Sequence, residues 1–167
     1  MTSNPSYVRQ VQLSESAAAA IHREAGRSQD GNETGGILLG HLRCDGTAEI
    51  RTAGAPGPVA VRQPTFFLRD LDHARRLAGE AFARDGSVWI GEWHTHPTAA
   101  PVPSNRDLHT YAGLLADPDL GFEAVVAIIL TTTDPAWVHL IARAWICYPN
   151  RAEAVPLLTA PSRAITE

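Results

Sequence analysis

Apolar positions recur along this chain with two different periods. Residues 7–13, YVRQVQL, read as a strand. Ser14 then stands as the cap of a helix through residue 26, in which Ala17, Ile21 and Ala25 repeat at helical spacing. Residues 34–42 form a short apolar run, and residues 48–55 a second strand after the Asp45-Gly46 turn signal, which together predict a hairpin. Pro56, Gly57 and Pro58 break regular structure, and residues 65–68, TFFL, predict a brief strand. Asp70 caps a helix that carries Leu71, Ala74, Leu77, Ala78, Ala81 and Phe82 on one face, and Gly86 ends it.

The second half of the chain continues this interspersion. Residues 87–96, SVWIGEWHTH, have strand composition, and a loop with Pro97, Pro101 and Pro103 follows. Ser104 caps a helix to about Leu115, with Asp107 at its third helical position. Residues 122–131 read as a buried strand and 137–148 as the next, turning at Asp134-Pro135. Nothing after Pro149 predicts an element. Strands and helices interspersed in this way build around one central sheet.

Composition narrows the class. With 167 residues, 44% hydrophobic and 19% charged, the chain is expected to form one soluble domain with its own core. A formal net charge of -4 without a basic stripe points away from nucleic acid. The longest apolar runs fall far short of the roughly 20 residues a membrane span needs, so no membrane association and a cytoplasmic location are expected. Cys44 and Cys147 stand in no paired spacing, which suits a reducing compartment. Every basic residue is an arginine, leaving no lysine as an acceptor for isopeptide conjugation.

The chemistry concentrates in GEWHTHPTAAPVPSNRD, residues 91–107. On a strand, His94 and His96 point to one face and Thr95 to the other. Asp107, on the first turn of the following helix, can be brought back toward the strand end by the proline-rich loop. Two histidines and one aspartate form a catalytic type of zinc set, three protein ligands with the fourth position left for water. Glu33 enters the apolar strand expected beside the histidines and is the candidate acid/base. Glu92 shares the histidines' face and competes for that role, but lies further from the strand end. Ser104 is a helix cap that can also donate a hydrogen bond to an oxyanion. Trp89 and Trp93 fall on the opposite face as core residues. His22, His41, His73, His109 and His139 lie outside the motif, His109 nearest to it.

Taken in order, Glu33, His94-Thr95-His96-Pro97, Ser104 and Asp107 resemble the JAB/MPN metalloproteases, the JAMM family. The pattern H-[ST]-H, seven residues, S-x-x-D is met without a gap, and ETGGILLG at 33–40 matches the family's upstream segment. GEWHTHP looks like small stand-alone bacterial members found beside E1-like and E2-like genes in antiphage or mobile-element operons. The resemblance covers roughly residues 8–148 and implies an α/β (α+β) fold: a single JAB/MPN domain with a curved mixed β-sheet flanked by helices, in a cytidine-deaminase-like arrangement. The expected division is a metalloprotease domain at 1–150 and a C-terminal tail at 151–167.

By the same resemblance, His94, His96 and Asp107 are expected to hold one Zn²⁺ with a bound water. Glu33 is implied as acid/base and Ser104 as oxyanion donor. The implied activity is an isopeptidase or peptidase acting after the C-terminal glycine of a ubiquitin-like modifier, with the modifier or its conjugate as partner, alongside the E1-like and E2-like proteins of the same operon. The alternatives are a zinc amidase on a small-molecule or sulfur-carrier substrate, and a non-catalytic scaffold. Short connections such as 116–121 leave no room for the long insertions of family members that grip two ubiquitins.

Overall fold

The computed structural model describes residues 7–160. In chain order its elements are β1 (Gln10–Leu13), α1 (Glu15–Arg27), β2 (Gly35–Leu42), β3 (Thr47–Ala53), β4 (Val61–Gln63), β5 (Phe66–Leu68), α2 (Leu71–Asp85), β6 (Val88–Thr95), α3 (Asn105–Ala116), β7 (Val125–Thr132), β8 (Leu140–Tyr148), β9 (Arg151–Val155) and β10 (Leu157–Thr159). Eight strands form one mixed sheet in the order β10-β1-β3-β2-β6-β7-β8-β9. The sheet curls far enough for β10 to approach β8. The expected α/β fold with a curved mixed sheet and flanking helices is therefore what the chain adopts. No described helix is long and apolar enough to cross a membrane.

Local chemistry sets the helix ends. Ser14, Asp70 and Ser104 each accept a main-chain N–H in the first turn, satisfying donors that an uncapped helix leaves open. Gly86 closes α2 in the left-handed conformation, at φ 74°, where a Cβ would be strained. The buried stripe of α1 is Ala17, Ile21 and Ala25, as its spacing predicts. That of α2 is narrower than expected: Ala74 and Ala81 are buried, whereas Leu71 and Phe82 at the edges of the stripe stay exposed.

The sheet separates two apolar layers. On one face α1 covers Val11, Leu38, Ile50, Trp93, Ile128 and Ile146. Burying a side chain such as Ile21 there contributes about 1.5–3 kcal/mol. On the other face α3 packs Tyr111 and Leu114 on Val125 and Ala127, and α2 packs on Ile37 and Leu39.

A bulge corrects the expected placement of one tryptophan. Leu38 pairs with Gly91 but Leu39 pairs with Trp89, so Ile90 is the extra residue of β6. The alternation of side chains resets there. Trp93 lies in the α1 layer as expected, while Trp89 turns to the α2 and α3 side.

Two parts of the chain exceed what its patterning predicts. Strand β4, with the three residues Val61, Arg62 and Gln63, pairs antiparallel with β5 and makes 61–68 a separate hairpin whose tip lies beside the site. The sheet also continues past the boundary drawn at 150: β9 pairs with β8, and β10 crosses to pair in parallel with β1. Neither strand alternates strongly, because each lies at an edge of the sheet with one free side.

Candidate functional site

The site forms where β2 and β6 end together. Gly35 pairs with His94 in the antiparallel ladder, so Glu33, just before β2, reaches the end of β6 where His94 and His96 emerge. Thr95 faces the other way and locks the two segments: its N–H donates to Thr34 O at 2.8 Å, and its Oγ1 accepts the Thr34 N–H at 3.0 Å. Gly35 is required by this closeness, since a Cβ there would lie 2.3 Å from Trp93 O. Parallel pairing with β7 fixes the far side, where His96 N donates to Leu130 O at 2.7 Å and Thr131 Oγ1 donates to His96 O at 3.0 Å.

Asp107 arrives from α3 through a capping box. Its Oδ2 accepts the Ser104 N–H at 2.7 Å, and its own N–H donates to Ser104 Oγ at 3.1 Å. The loop that delivers it is tied down by Trp145 Nε1, which donates to Pro101 O at 3.0 Å. Both histidines present Nε2 to the carboxylate: His94 lies 3.3 Å from Oδ1 and His96 3.3 Å from Oδ2. The two Nε2 atoms are 3.0 Å apart.

These separations suit one shared cation. The three donors lie within 4.8 Å of one another, and His94 and His96 are buried. Tetrahedral zinc with nitrogen ligands at about 2.0–2.1 Å sets its donors roughly 3.3 Å apart. His96 Nδ1 lies 2.8 Å from Ala100 O; a proton donated there leaves Nε2 as the lone-pair donor. The donor set therefore fits zinc.

Electrostatics follow from burial and neighbours. Burial pushes the Asp107 carboxyl upward, but hydrogen bonds from His94 and His96 outweigh it and hold the group well below the usual range. For His96, burial favours the neutral ring, yet the bond to Asp107 and the Ala100 carbonyl raise its pKa. Burial drives Glu33 up to about 7, with the His96 charge opposing and the Asp107 charge adding. Its Oε1 lies 3.9 Å from His96 Nε2, and its buried Oε2 has no hydrogen-bond partner among the described residues. A desolvated carboxylate with an unsatisfied oxygen beside this cluster is a candidate for proton exchange.

Glu92, the competing carboxylate, is committed elsewhere. It forms a buried ion pair with Arg69, whose guanidinium stacks over Trp89 at 5.1 Å. Burial raises its carboxyl to about 6, against the Arg69 charge. A cleft of about 130 Å³ is lined by Glu33, Pro64, Thr65, His96, Pro97 and Ser104, so the tip of the β4–β5 hairpin faces the proline loop across the site. Ser104 Oγ accepts a hydrogen bond, which leaves its O–H free to donate toward this cleft. His109 is exposed and stands outside the ligand group. Arg62, Arg69 and strand β4 carried no signal in the sequence, because isolated arginines around a short polar strand look like any solvated surface.

Similarity to known proteins agrees with this geometry. Residues 14–147 match the family described as prokaryotic homologs of the JAB domain. The chain is similar to a CD-NTase/cGAS isopeptidase of Enterobacter hormaechei subsp. hoffmannii, 34% identical over 106 residues, which are 63% of this chain and 58% of that protein. A CD-NTase/cGAS isopeptidase of Vibrio cholerae serotype O1 is 33% identical over 81 residues, 47% of this chain and 51% of the relative. The chain thus spans between half and three-fifths of the length of these curated relatives. Its fold is like that of a protein from Desulfitobacterium hafniense solved in solution, with a TM-score of 0.69 at 16% identity over 91% of this chain and 94% of the other.

Proposed function

From the premise that this chain belongs to the family of prokaryotic homologs of the JAB domain, we propose that it is a zinc-dependent isopeptidase of the JAMM type. The proposed reaction is hydrolysis of the amide bond after the C-terminal glycine of a ubiquitin-like modifier, in precursor maturation or removal from a target. The observation that carries it is the meeting of the His94, His96 and Asp107 donors within 4.8 Å beside the unpartnered, buried Glu33 carboxylate. The relatives' name points to a CD-NTase as the conjugated target. E1-like and E2-like proteins and an antiphage role in the cytoplasm complete the proposal.

His94 Nε2, His96 Nε2 and one carboxylate oxygen of Asp107 would hold the metal. When bound, zinc supplies Lewis acidity that polarises a scissile carbonyl and brings the pKa of water toward neutrality. The chain's own residues do the rest. Glu33 takes a proton from the attacking water and returns it to the departing amine, a role open to a carboxyl that titrates near neutrality. Ser104 donates its free O–H to the oxyanion, and the cleft between residues 64–65 and 97–99 holds an extended tail clear of bulk water.

The test uses a modifier fused through its C-terminal glycine to a reporter. Wild type is expected to cleave it, and a chelator to stop cleavage with recovery on adding zinc. Glu33→Ala is expected to keep one zinc per chain while kcat falls by at least about a hundredfold. A zinc-loaded Glu33→Ala variant with normal turnover would sink the acid/base assignment. Cleavage of small amides but of no modifier fusion would favour an amidase instead.

A further inference from the structure

Among the described residues no hydrogen bond holds the Glu33 Oε2, so the reach of this carboxylate depends on where the main chain puts it. That main chain lies outside the β2–β6 ladder, which begins at Gly35. Both of its polar groups are bound instead to β4. Glu33 N–H donates to Gln63 O at 2.9 Å, and Glu33 O accepts from Arg62 Nε at 3.1 Å. The remaining face of the same guanidinium donates to both carboxylate oxygens of Asp30, each at 3.0 Å. Such a fork fixes the plane of the guanidinium, and with it the direction of Nε–H. Asp30 Oδ1 also accepts the Asn32 N–H at 3.1 Å, which closes the turn that leads into Glu33.

The other leg of the hairpin is fastened independently. Arg69, the residue after β5's Leu68, forms the buried ion pair with Glu92 of β6. The Phe67 ring packs so closely over Gly35 that a Cβ there would lie 2.9 Å from it. The hairpin is therefore anchored to both strands of the site, and its displacement would carry Glu33 with it.

We propose that Arg62 is a positioning residue for Glu33, acting through the Glu33 main chain, and that Asp30 fixes its aim. The proposal rests on the reading of Glu33 as the acid/base. It gives the β4–β5 hairpin a second role, since the element whose tip walls the cleft also sets the base. Arg62 bonds to the Glu33 carbonyl and to Asp30, and it is not among the described residues that line the cleft.

Arg62→Ala, Arg62→Lys and Asp30→Asn are compared with the zinc-loaded wild type. The readouts are zinc content, amide hydrogen exchange at residue 33, and kcat and KM on the modifier fusion. In Arg62→Ala, exchange at Glu33 is expected to rise roughly tenfold or more, while the amides of β6 stay protected and zinc stays bound. The same variant is expected to lose about 10–100-fold in kcat with little change in KM. Asp30→Asn shifts both readouts in the same direction by less. Arg62→Lys restores the charge beside Asp30 without the fork and recovers only part. Unchanged exchange at residue 33, or faster exchange with full kcat, overturns the proposal. Loss of zinc or of β6 protection also overturns it, because Arg62 would then serve the fold at large. If the wild type cleaves no modifier fusion, the functional reading fails, while exchange at residue 33 still decides whether Arg62 sets Glu33.

Discussion

At the scale of the residue, one carboxyl group carries the most information. Glu33 is buried beside two imidazoles and a second carboxylate, and burial lifts it to about 7. In its proposed role as base it must be ionised, so activity is expected to be lost as pH falls through its pKa. A cation on His94, His96 and Asp107 would draw that value down. The acid limb of kcat/KM is therefore expected at a midpoint at or below about 7, with the dependence of a single proton, as steady-state rates across pH would reveal. An acid limb centred well above about pH 7 would argue against Glu33 as the base. Ser104 illustrates how a residue type can serve twice: the hydroxyl oxygen caps α3 while its proton remains available to the cleft.

At the scale of the element, β6 determines the site. It is the strand that both β2 and β7 grip, with antiparallel pairing on one side and parallel on the other. Gly91 allows this, because Val126 O lies where a Cβ would meet it at 1.8 Å. Gly91→Ala is expected to push β7 away and to cost roughly 1–3 kcal/mol or more of stability in chemical denaturation. The displacement lies three residues from His94, so zinc affinity measured by chelator competition should weaken in the same variant. The element boundaries of α1, α2, β2, β6 and α3 were legible in the sequence, through caps, glycines and apolar spacing. The bulge at Ile90 was not, because a bulge depends on how two strands register and no residue type marks it.

At the scale of the whole molecule, the sheet joins distant parts of the chain. Strand β10 lies against β1, with Val11 opposite Leu157, and Val155 and Leu157 pack on the core beneath α1. A chain ending at Asn150 would expose the edges of β1 and β8 together with this part of the core. It is expected to lose roughly 3 kcal/mol of stability, a fall in Tm of about 10 °C by thermal unfolding. The bared edges should also promote association, visible in light scattering. Equal Tm values for the two lengths would show that β9 and β10 add nothing to the domain.

Readable along the chain were the residue types, their order and the strand alternation that turns His94 and His96 to one side, together with the helix cap that presents Asp107. These follow from local rules of period and capping, which act within a few residues. Which carboxylate is left open depends on contacts between distant segments. Glu33 and Glu92 are equally acidic as residues, and the buried Arg69 occupies one while the other is left without a partner at Oε2. Such contacts also decide that Asp30 and Arg62, 32 residues apart, meet on the main chain of Glu33. Such pairings join side chains that share no period and no motif, and they exist only once the hairpin folds across the end of the sheet.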